Sequence, residues 1–236
     1  MGLPIQKAPT YTTKLPSNGQ EVKFRPFLVK EQKYLLLLQD SSTAEDVVNA
    51  IRDMITAVTF NKLDVDDLPM FDIEYLFLQI RATSIGETIE LNLRCGETGC
   101  GGTGKVSVNI EDAEVRGIDS EKSKVISIND EVGIGLKYPS IVDTGRSEDI
   151  KDRQEKLLAL LASGVDYVYD AEDRYESDDI SSEDLREFLE SLTLKQLEDV
   201  SKFFEDLPAI KLDTIFKCNA CQTEQSRTIS GLQSFF

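Results

Sequence analysis

Histidine is absent from all 236 residues. That removes every mechanism in which the chain would supply an imidazole base, from Ser-His-Asp triads to His-ligated catalytic zinc. Positive charge is scarce as well, with 26 Lys and Arg against 43 Asp and Glu and a formal net charge of −17. Such a surface repels phosphate backbones, because nucleic-acid affinity comes mainly from cationic side chains that displace condensed counterions. A nucleic-acid binder would need a concentrated basic patch. The chain offers only a mild excess near its start, at Lys7, Lys14, Lys23, Arg25, Lys30 and Lys33. Long apolar runs are missing too: Tyr34-Leu35-Leu36-Leu37-Leu38 is far too short to span a bilayer. The stretch MGLPIQKAPTYTTKLP has no apolar h-region, and Gln6 stands where myristoylation wants Ser or Thr. A soluble protein in a reducing compartment is expected, its four cysteines free or metal-bound rather than disulfide-paired. With 40% hydrophobic residues the chain has material for a core.

The pattern of residues predicts an α+β fold. Tyr11-Thr12-Thr13 and Glu21-Val22-Lys23-Phe24 flank Ser17-Asn18-Gly19, a hairpin signal in which Asn-Gly supplies positive φ angles. A leucine-rich helical stretch follows over Val29–Gln39. Thr43-Ala44-Glu45-Asp46 opens another helix, with Val47, Ile51, Met54, Ile55 and Val58 on its buried face. Pro69 falls at the first turn of a third helix that runs to about Thr83. Strands are expected at Glu87–Arg94, with Ile89, Leu91 and Leu93 inward, and at Lys105–Ile110, with Val106, Val108 and Ile110 inward. Two more strands flank Asn129-Asp130 within 123–138. A helix runs from about Glu148 to Leu161, burying Ile150, Leu157, Leu158 and Leu161.

Val165–Asp184 is dense in Asp, Glu and Tyr and reads as a solvated acidic linker, since no register supplies the sixth-position glycine of a calcium loop. Helices near 182–191 and 194–206 precede strands at Ile210–Lys217 and Ser226–Ser230. The boundaries drawn are 1–86, the hairpin and helical region, and 87–236, a β-rich region with inserted helices. The two are expected to form one compact unit. Acid pairs such as Asp178/Asp179 and Glu183/Asp184 are read as helix-start residues rather than as catalytic carboxylates.

Residues 94–107, RCGETGCGGTGKVS, pose the functional question. Gly99 through Lys105 approximates a phosphate-binding loop. Val106 replaces the hydroxyl that would bind magnesium, and the following Val-Ser-Val-Asn-Ile alternates as a strand where a helix is required. A metal reading fits better. Cys95 and Cys100 lie in one strand–turn–strand unit, and Cys218 and Cys221 in another, so each turn would direct two thiolates at one spot. The 117 residues between Cys100 and Cys218 (101–217) require that long-range folding bring the two knuckles together. Such a site would be a structural, zinc-ribbon-like Zn²⁺ centre with four cysteine ligands and no position open for catalysis. A thioredoxin-like Cys218/Cys221 redox pair, or four free thiols, are the alternatives.

Several stretches together carry a family likeness. They are Leu15-Pro16-Ser17-Asn18-Gly19, Val22-Lys23-Phe24-Arg25-Pro26-Phe27-Leu28-Val29-Lys30-Glu31, Leu192-Thr193-Leu194-Lys195-Gln196-Leu197 through Phe203-Phe204, the Cys-x-x-Cys knuckle, and the ending Gly231-Leu232-Gln233-Ser234-Phe235-Phe236. The chain resembles the baseplate hub and hub-assembly protein family of T4-like contractile-tailed bacteriophages. The resemblance implies a non-enzymatic role, as hub component or assembly chaperone, with other baseplate and tail hub proteins as partners. It places the protein in the host cytoplasm during assembly and in the virion if retained. It also suggests two contact surfaces, Lys23-Phe24-Arg25 and the terminal Leu232, Phe235 and Phe236. The terminal phenylalanines either dock on the protein's own core or anchor a partner. A zinc-ribbon nucleic-acid or transcription accessory protein is the competing class, with Arg94, Lys105 and Lys217 as its basic residues near the knuckles.

Overall fold

A computed structural model of the chain describes residues 7–32, 34, 44–118, 125–143, 150–205 and 207–231. The observed architecture is α+β, built from small antiparallel sheets around helices. Strands β1 (Tyr11–Lys14) and β2 (Glu21–Phe24) form the N-terminal hairpin. Its turn uses a positive φ at Gly19 alone (+72°), while the Asn18 side chain accepts a hydrogen bond from Gln20 N at 2.8 Å. The Val29–Gln39 stretch opens with a 3-10 turn at Val29–Glu31; residues 33 and 35–39 lie outside the described residues, as does Thr43, the expected cap of the next helix.

Helix α1 (Ala44–Val58) buries Ile51, Met54, Ile55 and Val58, the face expected from their spacing. The side chain of Val47 lies outside the described residues. Helix α2 (Met70–Ser84) follows Pro69 and is buried over most of Phe71–Ile80, where Tyr75 and Gln79, one turn apart on one face, are the half-buried exceptions and two carboxylates lie among the buried residues. Both carboxylates have partners. Asp72 accepts hydrogen bonds from Ser17 N (3.0 Å) and Ser17 Oγ. Glu74 Oε2 accepts from Ile210 N at 3.4 Å.

Strands β3 (Thr88–Arg94) and β4 (Thr103–Asn109) pair as a hairpin, with Ile89, Leu91 and Val108 in the core. Strand β5 (Glu114–Arg116) was not visible in the sequence, because three residues are too few to show alternation. Strands β6 (Val125–Ser127) and β7 (Gly133–Leu136) come next, then helix α3 (Arg153–Ser163), which is N-capped by Asp152. This helix starts later than the expected Glu148, which lies outside the described residues. Leu158 and Leu161 are buried, but Leu157 is 38% exposed, so its expected burial is corrected. At about 100° per residue, Leu157 lies at the edge of the stripe, on the far side of Leu161 from Leu158.

The acidic segment is not a linker. Residues Val165–Tyr169 form β8 and Arg174–Glu176 form β9, completing a four-stranded sheet in the order β6-β7-β8-β9. Val165 and Val168 are buried, and the acidic residues gather at the turn, where Asp170 Oδ1 accepts from Glu172 N and Asp173 N, both at 2.8 Å. The tyrosines have a structural use. Tyr167 and Tyr169 lie across Gly135 and Gly133, where an added Cβ would meet the rings at 2.2 Å. Helices α4 (Ser182–Glu190) and α5 (Leu194–Glu205) follow, and strands β10 (Ala209–Lys217) and β11 (Glu224–Ser230) close the chain.

Two apolar clusters result. The first joins the N-terminal hairpin, α1, α2 and the β3–β4 hairpin to Ile210, Leu212 and Ile229 of β10 and β11. The second joins β7, β8, α3, α4 and α5. Tyr138 connects them: it packs edge-on against Phe71 of α2 (5.1 Å) and stacks on Phe203 of α5 (5.6 Å).

Strand β2 does not present a continuous basic strip. Alternation turns Phe24 into the core and leaves Lys23 exposed, whereas Arg25, one residue past the strand, leaves that pattern to pair with the buried Glu31. Arg25 Nη1 and Nη2 donate to Glu31 Oε2 (3.0 Å) and Oε1 (3.1 Å), and Nη2 also donates to the Ala57 carbonyl at the end of α1 (3.1 Å). Burial works to raise the Glu31 carboxyl, but hydrogen bonds from Arg25 and from Leu28 N prevail and hold it below its ordinary value.

Arg25→Ala leaves the buried Glu31 carboxylate with only Leu28 N (2.7 Å) and Lys30 Nζ (3.6 Å) among the described residues, and is expected to cost about 2–3 kcal/mol in urea unfolding at pH 7. A loss under about 1 kcal/mol would show that the pair contributes nothing. The sign with pH is set by the lowered folded pKa of Glu31. The stability advantage of the wild type over Glu31→Gln should be full above the ordinary value of 4.5 and should shrink as pH falls through the lower folded value.

Candidate metal centre

Each knuckle is a turn that its own hairpin dictates. The β3–β4 turn closes through Cys95 N donating to Gly102 O (2.8 Å) and Cys100 N donating to Glu97 O (3.1 Å). Gly99 and Gly101 take φ of +80° and +61°, the left-handed region where side chains are strained. The β10–β11 turn closes through Cys218 N to Thr223 O (3.0 Å) and Gln222 N to Cys218 O (3.1 Å). The glycine-rich stretch thus leads into a strand, not a helix, and Lys105 lies in β4 opposite Asn92.

The turns meet through their backbones and two amide side chains. Asn219 N donates to Thr103 O at 2.8 Å, and Gly96 N donates to Gln225 Oε1 at 2.8 Å. Two glycines allow this approach. A Cβ on Gly102 would sit 2.7 Å from Cys218 Sγ, and one on Gly104 would sit 2.4 Å from both Lys217 O and the Phe216 ring.

The four cysteines predicted from spacing converge: Sγ atoms of Cys95, Cys100, Cys218 and Cys221 all lie within 4.8 Å of one another. The near pairs cross between the knuckles, Cys95 to Cys221 and Cys100 to Cys218, each at 3.7 Å. That distance far exceeds the ~2.05 Å of a disulfide. It matches the edge of about 3.8 Å that a tetrahedron with ~2.3 Å metal–sulfur bonds requires. Glu97 N and Ala220 N point at Cys95 Sγ (3.5 Å) and Cys218 Sγ (3.4 Å), and Gln225 Nε2 donates to Cys95 Sγ (3.1 Å). Donors aimed at sulfur favour thiolates and orient metal ligands. Asn219 and Gln225 had no signal in the sequence, because their role depends on a hairpin more than a hundred residues away.

Proton affinities diverge within the cluster. Hydrogen bonds from Thr223 pull the Cys221 thiol down to about 6. At Cys100 the Gly102 N–H favours the thiolate, but hydrogen bonds with the Cys221 and Cys218 sulfurs outweigh it and push the thiol up to about 12. Four sulfurs in one small volume cannot all ionise without a cation to offset their charge, which is the electrostatic condition a divalent metal meets.

Of the other candidate residues, Lys23 is exposed at the N-terminal hairpin, while Phe24 and Arg25 serve the core there. Leu232, Phe235 and Phe236 lie outside the described residues. Gly104→Ala is expected to destabilise by about 1–3 kcal/mol through backbone collision. Gly99→Ala meets open space and pays only the left-handed conformation, about 1 kcal/mol. Thermal unfolding of the two variants checks the order; equal losses would mean that β4 does not need its close approach to β10.

Comparison with curated proteins and with solved structures yields no significant match. A family model described as T4 bacteriophage base plate protein matches residues 8–236, which is nearly the whole chain and takes in both knuckles and both apolar clusters. No helix among the described residues is long and apolar enough to cross a membrane. By that match the chain belongs to the T4 bacteriophage base plate protein family.

Proposed function

We propose that the protein is a non-enzymatic protein–protein interaction factor in assembly of the baseplate hub, acting as a hub component or as an assembly chaperone. The observation that carries this reading is family membership across the whole chain. The site chemistry supports it. Four thiolates directed at one point leave a metal no open position for substrate or water, so such a centre holds structure rather than running a reaction.

The metal in this reading is one structural Zn²⁺, held by Cys95, Cys100, Cys218 and Cys221. It would supply the positive charge that lets all four sulfurs ionise, and it would staple the β3–β4 turn to the β10–β11 turn. Beneath the site Ile89, Leu91, Ile210 and Ile229 are buried in one apolar cluster.

Protein purified under reducing conditions without chelator should carry about one zinc per chain, with its thiols protected until the metal is removed. Chelation should then raise amide exchange at 95–102 and 218–223 while α2 stays protected. Metal-free protein with four freely reactive thiols would sink the zinc assignment. The assembly role is checked in infected cells: removing residues 231–236 should reduce completed tails several-fold while zinc content and folding persist. An unfolded product would instead place that tail in the core. Mass spectrometry of mature particles separates the two forms of the reading, because a hub component is retained and a chaperone is not.

A further inference from the structure

We propose that the groove between β3 and β11 receives an extended acidic segment of a partner protein, which adds to these strand edges as a further strand. The inference rests on the assembly reading above and names the chemistry of the partner.

A groove of about 760 Å³ is lined by Glu90 through Arg94 and by Arg227 through Ser230. The lining residues are consecutive, so side chains from both faces of each strand take part. That is what a strand edge presents; a sheet face would contribute alternate residues. Strand β3 pairs only with β4, and β11 only with β10, among the described residues. Each strand therefore offers backbone N–H and C=O groups on its other side, the template that an added strand uses.

The side chains state the charge of the occupant. Arg25, Arg52, Arg116, Arg174 and Arg186 each pair with a carboxylate, Arg81 donates to the Gly86 carbonyl, and Arg153 is exposed at a helix start with no ion pair among the described residues. Arg94 and Arg227 are exposed and form no ion pair with any described residue, although the chain carries 17 more formal negative than positive charges. The Arg227 guanidinium lies against Gly96, where a Cβ would come within 2.6 Å of Nη2, and this places it beside the β3 end that carries Arg94. Two free guanidiniums at one end of the groove suit carboxylates, which they can bind in bidentate fashion. Glu90 stands at the other end of the β3 lining, so the occupant enters with its acidic residues toward the knuckles. A nucleic-acid strand fits less well: no aromatic side chain lines the groove to stack a base, and the surrounding charge is negative.

The test places a photo-crosslinking residue by Asn92→benzoylphenylalanine in the full chain, expressed in infected cells that lack the native copy. Crosslinks should map to an extended segment of another baseplate protein with at least two carboxylates within about ten residues. Arg94→Glu and Arg227→Glu should each lower that yield at least ten-fold, with unchanged zinc content and thermal unfolding. Arg153→Glu, the same charge reversal on an exposed helix start, should not. Crosslinks to nucleic acid, to residues 232–236 of the same chain, or to a basic segment would overturn the proposal. So would an Arg94→Glu/Arg227→Glu protein that supports normal tail assembly with no crosslink. The broader reading fails separately, if tails assemble normally without the protein.

Discussion

A helix buried on most of its circumference needs partners on most sides, and α2 sets that requirement for this protein. Its apolar residues are covered by the N-terminal hairpin, α1, the β3–β4 hairpin and β10. Its carboxylates cannot be left without partners in such a place, since an unpaired buried charge is among the most costly of defects. Asp72 therefore takes Ser17, and Glu74 takes the backbone of Ile210. Burial still dominates at Asp72 and holds its carboxyl above the ordinary aspartate value despite both Ser17 hydrogen bonds. The two contacts attach the first hairpin and the last to the same helix.

That attachment makes the cysteine cluster possible. Once β10 lies along α2, it can pair with β5 on one side and β11 on the other, and its far end arrives beside β4. Gly104 lets the backbones of β4 and β10 approach, and the Asn219 and Gln225 contacts fix the angle between the turns. The sulfurs fall near tetrahedral spacing as a consequence of those contacts. In physical terms the backbone contacts and a bound ion would act on the same junction between the two turns.

The second apolar cluster is an insertion between β5 and β10. Its sheet β6-β7-β8-β9 carries helices α3, α4 and α5, and Tyr138 connects it to the first cluster through ring contacts to Phe71 and Phe203. Just beyond Tyr138 the chain is held to the first cluster, where Ile141 N donates to Leu68 O at 2.9 Å. One cluster underlies the knuckles and the strand edges beside them, while the other carries the acidic turn at 170–173 between β8 and β9.

The sequence alone determined the α+β class, the position of nearly every long element and the identity of the four cysteines, because each rests on local information. Periodicity marked α1, α2, β3 and β4, Pro69 marked a helix start, and paired cysteines in hairpin turns pointed to one site. The match to the base plate family accords with the stretches that suggested it. Local information failed where a residue's environment is made by a distant segment. The run Val165–Asp184 looked like linker because its acidic turn hid the short apolar face of Val165 and Val168, which only β7 completes. Leu157 looked buried because its neighbours are. Arg25 looked like surface because the buried Glu31 and the carbonyl of Ala57 that receive it meet only on folding. Tertiary structure also decided which sulfurs are neighbours. Contacts of 3.7 Å span 118 and 126 positions, and all four atoms lie within 4.8 Å of one another, because two distant hairpins bring their tips together.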